Sequence, residues 1–200
     1  YFYIENNRVT ATVADSTSGN TGKGFWRAGP AGNDFRQEEV LERITDKAVD
    51  YIAREARSGK PFFLYFALTS PHTPILPSAP YQGKSGTNAY GDFVLMTDAM
   101  VGKILDAVKA AGIEQNTLLV FTSDNGCSPS ADFKELAAAG HNPSYIYRGA
   151  KADIFEGGHR IPFIVRWPGK VKGGSHTSAT ICLTDFMATL ADMLQQPLRD

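Results

Sequence analysis

Cysteine is scarce in this chain. Its 200 residues carry two, Cys127 and Cys182, in different predicted elements, with neither a CxxC pair nor Cys/His spacing around them. That excludes a zinc site built on thiolates and a disulfide framework, and leaves two free thiols. An excess of charge of one sign is lacking as well: 20 Lys and Arg face 21 Asp and Glu, a formal net charge of −1. No basic field therefore points to nucleic acid or to an anionic membrane, and any anionic ligand must be met by local charges. No apolar run approaches the roughly 20 residues of a membrane-spanning helix. The opening YFYIENNRVT has no basic stretch leading into an apolar one, so no signal peptide is visible. There is no internal repeat. An initiator Met is also missing, and the chain is expected to be an excerpt that starts in a strand at Tyr1 to Ile4 and stops just past a helix.

What is present is the apolar content of one globular domain with a sizeable core, 42% of the residues being hydrophobic. Residues 11–35 are rich in Thr, Ser, Gly and Asn without periodicity, an irregular surface segment. From Gln37 to Arg57, Val40, Ile44, Ala48, Tyr51, Ile52 and Ala56 recur at helical spacing, and Gly59 closes the helix. Phe62 to Leu68, FFLYFAL, is a continuous apolar run, the pattern of a strand buried on both faces of a parallel sheet. A proline-rich loop covers Ser70 to Pro80. Asp92 to Ala111 places Phe93, Met96, Met100, Ile104, Leu105 and Val108 on one helical face, Gly112 ends it, and Thr117 to Thr122 is the next strand. Strand, helix, strand predicts a parallel βαβ unit with a right-handed crossover. A third strand, Phe163 to Trp167, stops at Pro168-Gly169, and a last helix runs from Leu183 to Leu194. The expected fold class is α/β, a mostly parallel sheet flanked by helices.

Ligands of such sheets bind beyond the carboxyl ends of the strands. That rule selects Ser70-Pro71-His72-Thr73-Pro74 and Ser123-Asp124-Asn125-Gly126. Asp124 and Asn125 are adjacent hard oxygen ligands suited to calcium or magnesium, although an isolated Asp-Asn-Gly more often serves as an Asx turn. His72, between prolines, sits on a stiffened loop as a positioned proton donor would; a lone loop histidine is more often simply solvated. The stretch from Arg148 to Pro162, RGAKADIFEGGHRIP, packs charges and glycines just before a strand, with Lys151 the candidate cation for an anion. An exposed lysine is the commoner fate. Glu156, His159 and Arg160 equally suit an ion-pair cluster bracing the Gly157-Gly158 turn.

Taken in order, PFFLYFALTSPHTP, GDFVLMTDAMVGKILDAVKAAG, TLLVFTSDNG, RGAKADIFEGGHRIPFIVRWPG and TSATICLTDFMATLADML resemble successive stretches of the arylsulfatase-type sulfatases of the alkaline-phosphatase superfamily. The resemblance covers residues 60–200, the central-to-C-terminal part of the family's catalytic domain up to about residue 194; residues 1–59 match loosely. It implies a partial alkaline-phosphatase-like sandwich, calcium held in part by Asp124 and Asn125, and sulfate contacts from Lys151 and from His72 beside the leaving group. It also implies a formylglycine nucleophile, made from Cys or Ser in a C/S-x-P-x-R motif. No such motif occurs here; Cys127 opens CSPSA, with Ala131 where Arg belongs. The remaining acidic ligands of the family's metal site are absent too, so this chain alone is expected to be inactive and to depend on the N-terminal part of its own domain. The implied partner is a sulfated small molecule or sulfated glycan, and the implied setting is periplasmic, secreted or lysosomal. Two rivals stand: a phosphoesterase of the same superfamily, since hard-metal ligands and cations serve both anions, and a non-catalytic carbohydrate-binding module. Trp26 and Trp167, the only tryptophans, give the second little support.

Overall fold

A computed structural model describes residues 1–198. The polar N-terminal region forms two small antiparallel ladders: β1 (Ile4–Glu5) with β2 (Arg8–Val9), and β3 (Val13–Thr17) with β4 (Gly29–Gly32). The expectation of an irregular 11–35 is corrected. These strands have no apolar alternation to announce them; they are held by backbone pairing, by the Asn20–Trp26 bridge and by the indole of Trp26 donating to Thr17 Oγ1 at 3.0 Å.

Helix α1 (Val40–Ser58) closes as its glycine suggests, Gly59 adopting φ 67°. Helix α2 (Ala89–Ala110) begins earlier than apolar spacing alone predicts, because Asn88 caps it and accepts from the backbone N–H groups of Tyr90 and Gly91. The two helices pack on each other, and Leu41, Ile75, Phe93, Met96 and Met100 form the core cluster beneath them. Ile75 comes from the proline-rich loop, so burial of one loop residue fastens that loop to the helical layer.

The strand predicted at 62–68 pairs with nothing among the described residues. Its residues alternate between exposed and half-buried, the period of an extended chain, and Phe63 and Tyr65 stand 70% and 81% exposed. Strand β5 (Leu119–Thr122) pairs instead with β6 (Phe163–Arg166), antiparallel, from Leu119 opposite Arg166 to Thr122 opposite Phe163. The mostly parallel sheet is therefore corrected: every ladder among the described residues is antiparallel. The cause is the 123–162 connection, which carries α3 (Phe133–Ala138) and the single turn α4 (Glu156–His159), folds back on itself and returns beside β5 in the opposite direction. A final helix, α5 (Asp185–Met193), follows β6. Between the 61–74 segment and α2 on one side and β5, β6 and α5 on the other lies a cavity of 3340 Å³, several times the roughly 300–1,000 Å³ of a small-molecule pocket. The chain is mixed α/β, and among its described residues no helix is long and apolar enough to cross a membrane.

Candidate active site

His72 is placed by two anchors on either side of it. The buried Thr97 hydroxyl of α2 lies 2.8 Å from Ser70 Oγ and 2.7 Å from the Phe93 carbonyl, and Ile75 sits in the core with its N–H on the Lys23 carbonyl at 2.9 Å. The His72 ring is exposed, its Nδ1 2.6 Å from the Thr73 carbonyl oxygen. A carbonyl only accepts, so Nδ1 carries a proton, and Nε2 is the nitrogen left for a ligand.

Asp124 and Asn125 leave the end of β5. The Ser123 hydroxyl donates to the Asn125 carbonyl at 3.1 Å and Asn125 Nδ2 to the Gly126 carbonyl at 3.1 Å, fixing the turn and leaving Asn125 Oδ1 without a donor among the described residues. The Asp124 carboxylate is exposed and has no hydrogen bond or ion pair among the described residues. The turn that an Asx triplet makes is thus closed by its neighbours, while the carboxylate itself is free to bind something else.

Lys151 is brought to this turn by glycines meeting back to back. Gly126 N–H donates to the Gly158 carbonyl at 2.8 Å, Lys151 N–H to the Cys127 carbonyl at 2.9 Å, and Gly157 N–H to the Arg148 carbonyl at 2.8 Å. A methyl group on Gly126 would stand 1.9 Å from the Gly157 oxygen, one on Gly157 2.1 Å from the Gly149 oxygen, and one on Gly158 2.2 Å from the Asp153 oxygen. A side chain at Gly126 would push the two loops apart, and one at Gly157 or Gly158 would disrupt the folding of the 148–158 loop on itself. The sequence marks Gly157-Gly158 as a turn, but the glycines serve another purpose. Gly157 and Gly158 are needed for close approach rather than for a left-handed turn, and it is Gly149, at φ 91°, that supplies the unusual backbone. Lys151 is half-buried, and its ammonium has no ion pair among the described residues.

His72, Asp124, Asn125 and Lys151 all line the 3340 Å³ cavity. The general model of the sulfatases matches residues 2–196 of the chain. This chain belongs to the sulfatase family. It is 38% identical over 176 residues to an N-acetylgalactosamine-6-O-sulfatase of Bacteroides thetaiotaomicron, covering 86% of this chain and 34% of that protein. It is 36% identical over 153 residues to the human N-acetylgalactosamine-6-sulfatase, covering 76% and 28%. A structure solved in work on glycosaminoglycan metabolism by Bacteroides thetaiotaomicron superposes with a TM-score of 0.79 at 37% identity, over 87% of this chain and 36% of that one. A second, Ps i-CgsB in complex with a neocarrahexaose, gives 0.67 at 27% identity over 85% and 38%. The chain thus spans about a third of the length of the relatives it matches, and its fold is the alkaline-phosphatase-like fold of those sulfatases.

Within this sulfatase chain, several residues that spacing could not single out complete the setting. Asn88, besides capping α2, donates to the Ala131 carbonyl and to Glu135, both at 2.9 Å, while Lys23 pairs with Glu135 at 2.7 Å and Asp132 at 3.3 Å. The Asn88 cap thereby ties the loop after Cys127 to α2, and the ion pairs tie it to Lys23 of the N-terminal region. The Cys127 thiol donates to the Tyr90 hydroxyl at 3.2 Å. Burial pushes the Cys127 thiol up, and burial likewise pushes the Tyr90 phenol well above its ordinary range, so both stay protonated and neutral at neutral pH. Cys127 is accordingly not a thiolate nucleophile. Iodoacetamide is expected to alkylate exposed Cys182 first and Cys127 about tenfold more slowly until the chain unfolds; mass spectrometry of the time course would show equal rates if the Cys127–Tyr90 contact were not formed. The ion-pair cluster expected at the Gly-Gly turn is present in part: Arg160 pairs with Glu156 one helical turn away, while His159 Nε2 meets the Ile154 carbonyl at 2.8 Å.

Proposed function

We propose that this chain supplies about half of the active site of a sulfuric ester hydrolase, with Asp124 and Asn125 as calcium ligands and Lys151 and His72 as the groups that meet the sulfate ester. The observation that carries the reading is the glycine contact, which sets the Lys151 backbone on the Cys127 carbonyl, two residues past Asn125, with an ammonium and a carboxylate that have no partner among the described residues lining one cavity. The donors fit the metal in kind: a carboxylate and an amide oxygen are the hard ligands calcium prefers. They do not fill it. No cluster of three or more His, Cys, Asp or Glu exists among the described residues, so the remaining oxygens, like the formylglycine nucleophile, come from outside this chain. Calcium, when bound, neutralises charge on the ester oxygens.

The chain's own residues do the rest. Lys151 offers a fixed positive charge to non-bridging sulfate oxygens, where charge builds in the transition state. His72, its Nδ1–H held on the Thr73 carbonyl, presents Nε2 to the bridging oxygen; protonated there, it donates to the departing alkoxide, the poor leaving group that a sugar hydroxyl makes. A sulfated glycan is the substrate class that accords with several of the relatives, two of which are named as N-acetylgalactosamine-6-sulfatases and a third of which is seen with a neocarrahexaose, while others are named arylsulfatase or steryl-sulfatase. The exposed, unpartnered 62–68 segment beside the 3340 Å³ cavity fits the same reading, as a strand awaiting the N-terminal part of the domain.

Two measurements on the isolated chain test this division. It is expected to release no sulfate from an aryl sulfate, and calorimetric titration with calcium is expected to show affinity no tighter than about millimolar, since two ligands stand where calcium takes about six to eight. Turnover that survives repurification and disappears in Lys151→Ala, or micromolar calcium binding, would show that the site is complete here and that its ligands are others.

A further inference from the structure

Resting on the sulfatase reading, we infer that Tyr145, Tyr147 and Arg160 form the rim that holds the sugar of an acidic glycan next to Lys151. The loop between Asn142 and Arg148 is closed with unusual thoroughness for an exposed segment. Tyr145 N–H donates to the Asn142 carbonyl at 3.0 Å, the Asn142 side-chain amide donates back to the Tyr145 carbonyl, Ser144 N–H donates to Asn142 Oδ1 at 3.1 Å, and Ser144 Oγ reaches the Gly149 carbonyl at 3.0 Å. This bonding holds Tyr145 in the left-handed region at φ 54°, a conformation that disfavours any residue with a Cβ and concentrates at ligand clamps.

What the strained turn achieves is the display of a ring. Tyr145 is 69% exposed, yet its ring is fixed edge-on against Tyr147, centroids 6.2 Å apart at 66°. The Arg160 guanidinium lies over the Tyr147 ring at 4.6 Å and is held by Glu156. One carboxylate occupies part of its fork; among the described residues its other N–H groups have no acceptor. Both tyrosines and Arg160 line the same cavity as Lys151, and their loop ends at Arg148, whose carbonyl is gripped by Gly157 in the contact that places Lys151.

A rigid, half-wet aromatic face beside a guanidinium with free donors suits a ligand with an apolar ring face and an added anion. A pyranose offers the first, and a uronate carboxylate or second sulfate the second. A small aryl or alkyl sulfate would use Lys151 and leave the rim empty.

The test uses the full-length protein with two probes: a 6-sulfated N-acetylgalactosamine–uronic acid disaccharide as substrate, and inorganic sulfate as a competitive inhibitor that needs no sugar contact. Tyr145→Gly removes the ring while easing the backbone, so a loss in this variant is not a strain effect. It is expected to raise KM for the disaccharide about tenfold, the scale of one aromatic contact, with the sulfate inhibition constant within about twofold of wild type. Arg160→Gln is expected to raise KM for the disaccharide about tenfold, and by clearly less for N-acetylgalactosamine-6-sulfate, which lacks the uronate. An unchanged disaccharide KM in Tyr145→Gly would overturn the assignment, as would a parallel loss of sulfate inhibition, which would mean the ring serves the fold. If wild-type protein neither hydrolyses the disaccharide nor is inhibited by sulfate, the sulfatase reading fails first and takes this one with it.

Discussion

Lys151→Ala in the full-length protein is expected to lower kcat/KM for a sulfate ester by about 10²–10³-fold, the usual cost of deleting one preorganised group that faces developing negative charge. The same substitution should leave the thermal midpoint within about 2 °C of wild type. The separation follows from how the residue is held. Its backbone N–H, bonded to the Cys127 carbonyl at 2.9 Å, survives in alanine, and its ammonium has no structural partner among the described residues to lose. Initial-rate kinetics beside a melting curve check both halves. An unchanged kcat/KM would make Lys151 an ordinary half-buried lysine, whereas a collapse of the fold would mean that the side chain is structural.

The second large effect belongs to a residue with no side chain. Gly126→Ala must open the contact between the Asp124–Asn125 turn and the Lys151 loop, because the new methyl would stand 1.9 Å from the Gly157 carbonyl oxygen and 2.9 Å from its carbon. Backbone cannot rotate away as a side chain can, so the expected destabilisation is about 1–3 kcal/mol. Displacing the lysine by even about 1 Å is expected to cost roughly 10²-fold in kcat. Gly102→Ala is the control: it lies within α2, and its Cβ would meet nothing within 4 Å, so a gain of about 0.5–1 kcal/mol and unchanged kinetics are expected. Equal behaviour of the two variants would deny that the glycine contact positions anything.

The long helices α1, α2 and α5 were legible in the sequence because each carries its own signals, whereas the short α3 and α4 were not. Gly59 ends α1 by its backbone freedom, and Met96, Met100 and Val108 repeat on the buried face of α2 without reference to any distant segment. Strands carry no such local closure. FFLYFAL reads as a core strand because its composition demands two covered faces, but pairing is a property of the neighbour, and among the described residues no strand pairs with it, although Phe62 packs on Tyr51 and Leu68 on the core cluster. Leu119–Thr122 and Phe163–Arg166 were recognisable as strands one by one; their antiparallel direction was decided by how the 123–162 connection folds back, which hydrophobic periodicity does not encode. At the site, Asp124, Asn125, His72 and Lys151 were visible as residue types at loop positions. What joins the Asp124 turn to the Lys151 loop was not: a glycine that excludes a methyl group looks the same in sequence as a glycine that merely turns, and Asn88 reveals its second role, on Ala131 and Glu135, only once α2 and the 128–138 segment are side by side.

The role we propose for the turn after β5 is to hold calcium for the hydrolysis of a sulfate ester. Its most direct test is the calcium dependence of sulfate release by the full-length protein, wild type against Asp124→Asn, after chelation and stepwise return of the metal. Hydrolysis in the wild type is predicted to vanish with the chelator and to return with calcium. In the variant, which keeps the shape of the side chain but loses its charge, half-activation is predicted to need at least about tenfold more calcium. Full activity in the chelator, or identical calcium curves for the two proteins, would contradict the account.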